Sequence, residues 1–129
     1  MEAARTIEAY IRAINAGDVD AIAAAIDEAH MFVDSLGNRI EGRDAMRAGW
    51  LSYLRLFPDY RIEVETMLCE GGTVLLCGHA SATLHREGRA VAGGGWRIPA
   101  AWRGEVERGL VKFWQVYADN KPVHALLGG

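Results

Sequence analysis

The chain reads as an α+β protein with its helices gathered on one face of a curved, mostly antiparallel sheet. Apolar residues recur at helical spacing through the first part of the sequence, up to Phe57 and Pro58. From Tyr60 onward the period switches to two, and glycine-bearing turns such as Gly71-Gly72 and Gly109 separate the alternating runs. Helices followed by a meander of strands is the pattern of an α+β domain rather than of alternating βαβ units.

The first helix is expected over 3–16, where Ile7, Tyr10, Ile11 and Ile14 follow the i, i+3, i+4, i+7 pattern. Gly17 suits the left-handed position that ends it, and Asp18 can cap the next helix. That second helix is short, with Val19, Ile22, Ala23 and Ile26 facing inward, and the two should pack as a hairpin. A strand follows over His30–Asp34, then a loop from Ser35 to Arg39. The third helix runs from about Arg43 to Leu56 on a stripe of Met46, Trp50, Tyr53, Leu54 and Phe57, and Pro58 marks its end.

In the sheet region Tyr60, Ile62, Val64, Thr66 and Leu68 alternate with Arg61, Glu63 and Glu65, the mark of a half-buried strand. Gly71-Gly72 turns it into a strand over Thr73–His85, and Arg86–Arg89 makes the next turn. Gly93-Gly94-Gly95 reads as a flexible connection at the pocket edge, leading to a strand near Arg97–Val106. Leu110–Ala118 is the last strand, and Asp119-Asn120-Lys121-Pro122 is a turn signal.

At 129 residues, half of them apolar and a quarter charged, the chain fits one domain over 1–129 with a real core. A net charge of −3 with scattered arginines gives no reason to expect a nucleic-acid partner. No apolar run approaches the roughly 20 residues of a membrane helix, and Met1–Thr6 lacks the basic-then-apolar start of a signal peptide. Cys69 and Cys77 are too few for a disulfide framework and read as buried thiols in a reducing cytoplasm. The histidines carry no metal-ligand spacing, and no Lys-Ser/Thr follows the glycine run as a phosphate loop needs. Neither metal nor cofactor is expected.

Tyr10-Ile11 with Ala16-Gly17-Asp18-Val19-Asp20-Ala21-Ile22, and Val33-Asp34-Ser35-Leu36-Gly37 with Gly42-Arg43-Asp44-Ala45-Met46, resemble the corresponding parts of ketosteroid isomerases. Trp114–Asn120 resembles the last strand of SnoaL-type polyketide cyclases and limonene epoxide hydrolases. In this order the motifs resemble the nuclear transport factor 2-like superfamily over nearly the whole chain. The resemblance implies a cone: an α+β barrel of three N-terminal helices and a strongly bent sheet around an apolar cavity, often in a homodimer. It does not imply one reaction, because the fold hosts many.

The candidate chemistry follows from those positions. The resemblance makes Asp34 a general base, the alternative being a carboxylate that binds the amides of its own turn near Leu36 or Gly37. It makes Tyr10 a hydrogen-bond donor to a developing enolate, the alternative being a buried core aromatic. Asp119 matches an acid/base carboxylate of the cyclases, the alternative being a turn residue. Two-residue alternation groups Phe113, Gln115, Tyr117 and Asp119 on one face of the last strand. With Trp50, Tyr53 and His79, Phe113 and Tyr117 are the candidate substrate-binding residues. Two positions depart from the relatives: the second acid of the isomerases falls near Ala100 or Ala101, and the Arg and Asp of the epoxide hydrolases fall on Gly78-His79-Ala80. The expected function is an isomerase, cyclase or lyase acting on a small hydrophobic carbonyl compound. The alternative is a non-catalytic ligand-binding or accessory homodimer.

Overall fold

The computed structural model describes residues 2–128. Helix α1 (Glu2–Asn15) buries Ile7, Tyr10, Ile11 and Ile14, the stripe its sequence spacing sets out. Gly17 turns the chain with φ of 64°, and the Asp18 carboxylate accepts from the Ala21 amide at 3.1 Å. This caps α2 (Val19–Ala25). The expected inward Ile26 is not in that helix. It opens β1 (Ile26–Val33), because Arg43 takes its carbonyl with two guanidinium donors, Nε at 3.1 Å and Nη2 at 2.8 Å. A carbonyl so engaged faces away from the helix axis, and the chain continues extended.

A short strand that the sequence reading does not anticipate, β2 (Arg39–Glu41), begins at the last residue of the expected loop and pairs antiparallel with β1. Helix α3 (Arg43–Leu56) buries Met46 and Trp50. Four long strands follow: β3 (Arg61–Glu70), β4 (Thr73–Arg86), β5 (Arg89–Glu107) and β6 (Leu110–Ala118). The Asp119–Pro122 turn signal opens a further helix, α4 (Lys121–Leu126), with proline in its first turn, where its missing N–H is no loss. The sheet order is β2-β1-β6-β5-β4-β3. All neighbours are antiparallel except β1 and β6, which run parallel. The sheet is thus mixed and open, a bent cone wall rather than a closed barrel.

Two features of the sheet differ from the sequence expectation. Gly93, Gly94 and Gly95 lie inside the continuous strand β5 rather than in a flexible connection before it. In β3 the alternation breaks at a bulge between Val64 and Thr66. Beyond it Leu68 is 65 % exposed while Met67 and Cys69 pack against the core. Gly78, paired with Val64, is what the bulge needs: a Cβ there would lie 1.8 Å from the Glu63 carbonyl oxygen.

The core lies between α1, α3 and the concave sheet face. Tyr10 packs edge-on against Trp114 at 5.1 Å, and Trp114 stacks with Trp102 at 6.5 Å. Gly104 lets α1 approach closely, since a Cβ would meet Ile7 Cδ1 at 2.7 Å. Cys69 is partly buried, but Cys77 is exposed on the convex face, and both are free thiols. Among the described residues no helix is long and apolar enough to cross a membrane.

Candidate functional site

The concave face does not close completely on the helices. It leaves a cavity of about 320 Å³. Helix α3 supplies Met46, Trp50 and Tyr53, and Tyr60 comes from the turn after it. The sheet supplies Trp96, Ile98, Ala100 and Trp102 from β5 and Trp114, Val116 and Ala118 from β6. The aromatic rings pack mostly edge to face, with Trp50–Tyr53 at 6.0 Å and Tyr53–Tyr60 at 5.2 Å, the arrangement ring quadrupoles favour. Burial pushes the Tyr53 and Tyr60 phenols well above their usual pKa, so both remain neutral hydroxyl groups.

Apart from the hydroxyl and indole N–H groups of the aromatic wall, the polar side chains of the lining come from two adjoining segments: Asp34 and Ser35 after β1, and Asn120 and His124 at α4. The Asn120 amide donates to Ser35 Oγ at 2.6 Å and ties the two segments together. The cavity is apolar inside and polar at this end.

Trp50, Tyr53 and Asp34 of the expected site residues line this cavity. Asp34 also shapes its own turn. Oδ1 accepts from the amides of Leu36 and Asn38, both at 2.9 Å, and Oδ2 from the Asn38 side chain at 3.1 Å. Tyr10 is fully buried behind the lining. Burial raises its phenol pKa, the nearby Trp50 indole N–H offsets part of that rise, and Tyr60 adds to it. Tyr10 Oη and Trp50 Nε1 are nonetheless not aligned as a hydrogen bond, and each is a buried polar atom without a partner.

The last strand presents the opposite face from the one expected. Trp114, Val116 and Ala118 look into the cavity, so Phe113, Tyr117 and Asp119 lie outside it. Both sets contain apolar residues, and the Trp114 contacts with Tyr10 and Trp102 fix the phase. Phe113 lies under the Arg103 guanidinium at 4.5 Å, and Tyr117 is 47 % exposed. Asp119 is exposed and accepts from the Lys121 amide at 2.9 Å, as a turn residue does. His79 is also outside, its Nδ1 2.8 Å from Glu65 Oε2, while its neighbour Ala80 faces the cavity.

Sequence reading missed Ser35, Asn120 and His124. The signal was present in α4: Asn120 and His124 are four residues apart, one turn of a helix that Pro122 can open. Ala100, one of the two positions matching the isomerases' second acid, places only a methyl group in the wall. Among the described residues no three His, Cys, Asp or Glu side chains gather as a metal site.

Residues 7–114 match the model of the SnoaL-like domain. The chain belongs to this family. Its fold is that of the nuclear transport factor 2-like superfamily. A candidate SnoaL-like polyketide cyclase from Shewanella denitrificans superposes with a TM-score of 0.84 at 13 % identity, covering 98 % of this chain and 96 % of that one. An LEH-like epoxide hydrolase from M. tuberculosis gives 0.80 at 19 % identity, covering 99 % and 91 %. An NTF2-like protein of unknown function from Burkholderia pseudomallei gives 0.82 at 14 % identity, covering 100 % and 99 %. At these identities the likeness is one of fold. No functionally curated protein matches the chain.

Proposed function

We propose that this SnoaL-like protein is a cofactor-independent enzyme that moves a proton on a small, apolar, carbonyl-containing ring compound, in an isomerase, cyclase or lyase reaction. The observation that carries this reading is the cavity itself: aromatic walls, with its carboxylate and imidazole, Asp34 and His124, together at one polar end. Its volume of about 320 Å³ is at the low end of small-molecule pockets, roughly 300–1,000 Å³, and suits a one- or two-ring ligand. Of the three expected catalytic residues Asp34 alone lines the cavity, which supports giving it a part in this reading. The free thiols Cys69 and Cys77 support a reducing, cytoplasmic setting.

A second reading is a non-catalytic ligand-binding or accessory homodimer. Two observations favour it: both Asp34 oxygens are engaged in the turn, and Ala100 contributes no acid. The exposed Leu68, Leu75 and Tyr117 on the convex face support pairing with a second copy, which sedimentation would read directly.

Binding of 2-tetralone, a bicyclic aromatic ketone, followed by tryptophan fluorescence tests the shared premise. Saturable quenching is expected in the wild type. Ala100→Phe, which fills the cavity, should abolish it while leaving the thermal midpoint within a few degrees. Equal binding by both proteins would remove the cavity from consideration. Binding without chemical change of any enolisable ketone would favour the second reading.

A further inference from the structure

We propose that His124 is the proton-transfer group of this cavity, and that the Ser35 hydroxyl, held by Asn120, receives the carbonyl oxygen of the ligand. The inference rests on the acid/base reading above and names its residues. It also fixes the ligand's orientation, with the apolar rings inward and the enolisable carbonyl at the polar end.

Few of the polar lining side chains are free to take a proton. Asp34 is committed to its turn, with three of a carboxylate's roughly four acceptor sites engaged by Leu36 and Asn38. The Tyr53 and Tyr60 phenols are held neutral by burial. Of the four histidines, His30, His79 and His85 have ring contacts to Val111, Glu65 and Thr83. The His124 ring has none among the described residues, yet it lines the cavity. It is the one imidazole in the lining, lies exposed to solvent at the polar end, and keeps its ring nitrogens free of protein partners among the described residues.

Helix geometry brings the second component beside it. Asn120 precedes His124 by one turn, and the His124 amide donates to the Asn120 carbonyl at 2.9 Å, so the two side chains share a face. Asn120 Nδ2 donates to Ser35 Oγ, which occupies an acceptor site of that hydroxyl and leaves its own O–H free to donate. A donor and a base thus stand at one end of an apolar cavity, as enolisation requires.

The step balances without another reactant. A neutral His124 nitrogen takes the proton from the carbon next to the carbonyl. The C–H electron pair becomes the C=C bond of the enolate, and the carbonyl π pair moves to the oxygen held by Ser35. Return of a proton from the imidazolium to carbon completes an exchange or, at a different carbon, an isomerisation. The charged groups on the segments beside His124 are Asp34, which lines the same cavity, Asp119 just before α4 and Lys121 at its first position. The inward side chains of β5, against which α4 rests, are the uncharged Ile98 and Ala100.

The test is exchange of the α-protons of 2-tetralone in D2O, read by NMR against the buffer rate. The wild type is expected to accelerate exchange, with a pH profile that follows the titration of the His124 ring signal. His124→Gln should lower the enzymic rate about 100-fold without changing 2-tetralone binding, and free imidazole should restore exchange in His124→Ala. Ser35→Ala should slow it about 10-fold. Wild-type exchange in His124→Gln together with loss in Asp34→Asn would overturn this assignment and leave the acid/base reading standing on Asp34. Bound 2-tetralone that the wild type never exchanges would overturn both.

Discussion

Asn15 and Ile62 hold each other through two hydrogen bonds: the Asn15 amide donates to the Ile62 carbonyl at 3.0 Å, and the Ile62 amide donates to Asn15 Oδ1 at 2.7 Å. The last residue of α1 thereby acts as a short strand partner for β3. The pair anchors the helix that carries Tyr10 to the edge strand of the sheet, and the cavity lies within the frame they share.

Asn15→Ala removes both partners and leaves a partly buried backbone N–H and C=O without hydrogen bonds. Loss of such bonds costs roughly 1–3 kcal/mol, so a loss of about 2 kcal/mol is expected in denaturant unfolding. Asn15→Asp keeps the acceptor but loses the donor, and should fall between. A change under half a kcal/mol for Asn15→Ala would show that water replaces the side chain at little penalty.

Gly78→Ala should be among the most damaging single-methyl additions in the sheet. The new Cβ would overlap the Glu63 carbonyl oxygen, backbone that cannot rotate away, so the β3 bulge must shift. A loss of about 3 kcal/mol is expected, measurable as a lower urea midpoint. Gly95→Ala meets open space and serves as the control, with a far smaller effect.

His30 makes stability depend on pH. It is wholly buried, its Nδ1 is 2.7 Å from the Val111 carbonyl oxygen and its Nε2 has no partner. Burial lowers its pKa, opposed by the bond to Val111 and by Asp27. The folded chain therefore resists a proton that the unfolded chain accepts near pH 6.5. The linkage leaves stability from this group untouched above that pH. Below it stability falls, by at most about 1.4 kcal/mol per pH unit, until the lowered folded pKa is reached. His30→Asn keeps a donor for Val111 and should flatten that part of the pH–stability curve. An unchanged curve would assign the acid sensitivity elsewhere.

Much of the fold was legible because burial writes a period into the chain. The α1 stripe of Ile7, Tyr10, Ile11 and Ile14, the limits of α3 at Arg43 and Leu56, and the extent of β6 all follow from that period and from adjacent turn residues. The site was less legible. Alternation in β6 assigns Phe113, Gln115 and Tyr117 to one face and Trp114, Val116 and Ala118 to the other, but both sets can be buried. Packing of Trp114 on Tyr10 and Trp102 decides which set enters the cavity.

Legible from the residues alone were the class of fold, the order of its first three helices and four long strands, the family and the acid after the first strand. These depend on local spacing, which neighbouring residues carry. The tertiary structure decided the phase of β6, the bulge at Val64 that only Gly78 accommodates, the extended course of Gly93–Gly95 and the meeting of Ser35 with Asn120. Each of these depends on contacts between residues far apart in the chain. Ser35 and Asn120 lie 85 positions from one another; no local period relates them, and only the parallel pairing of β1 with β6 brings the two strand ends to one end of the cavity.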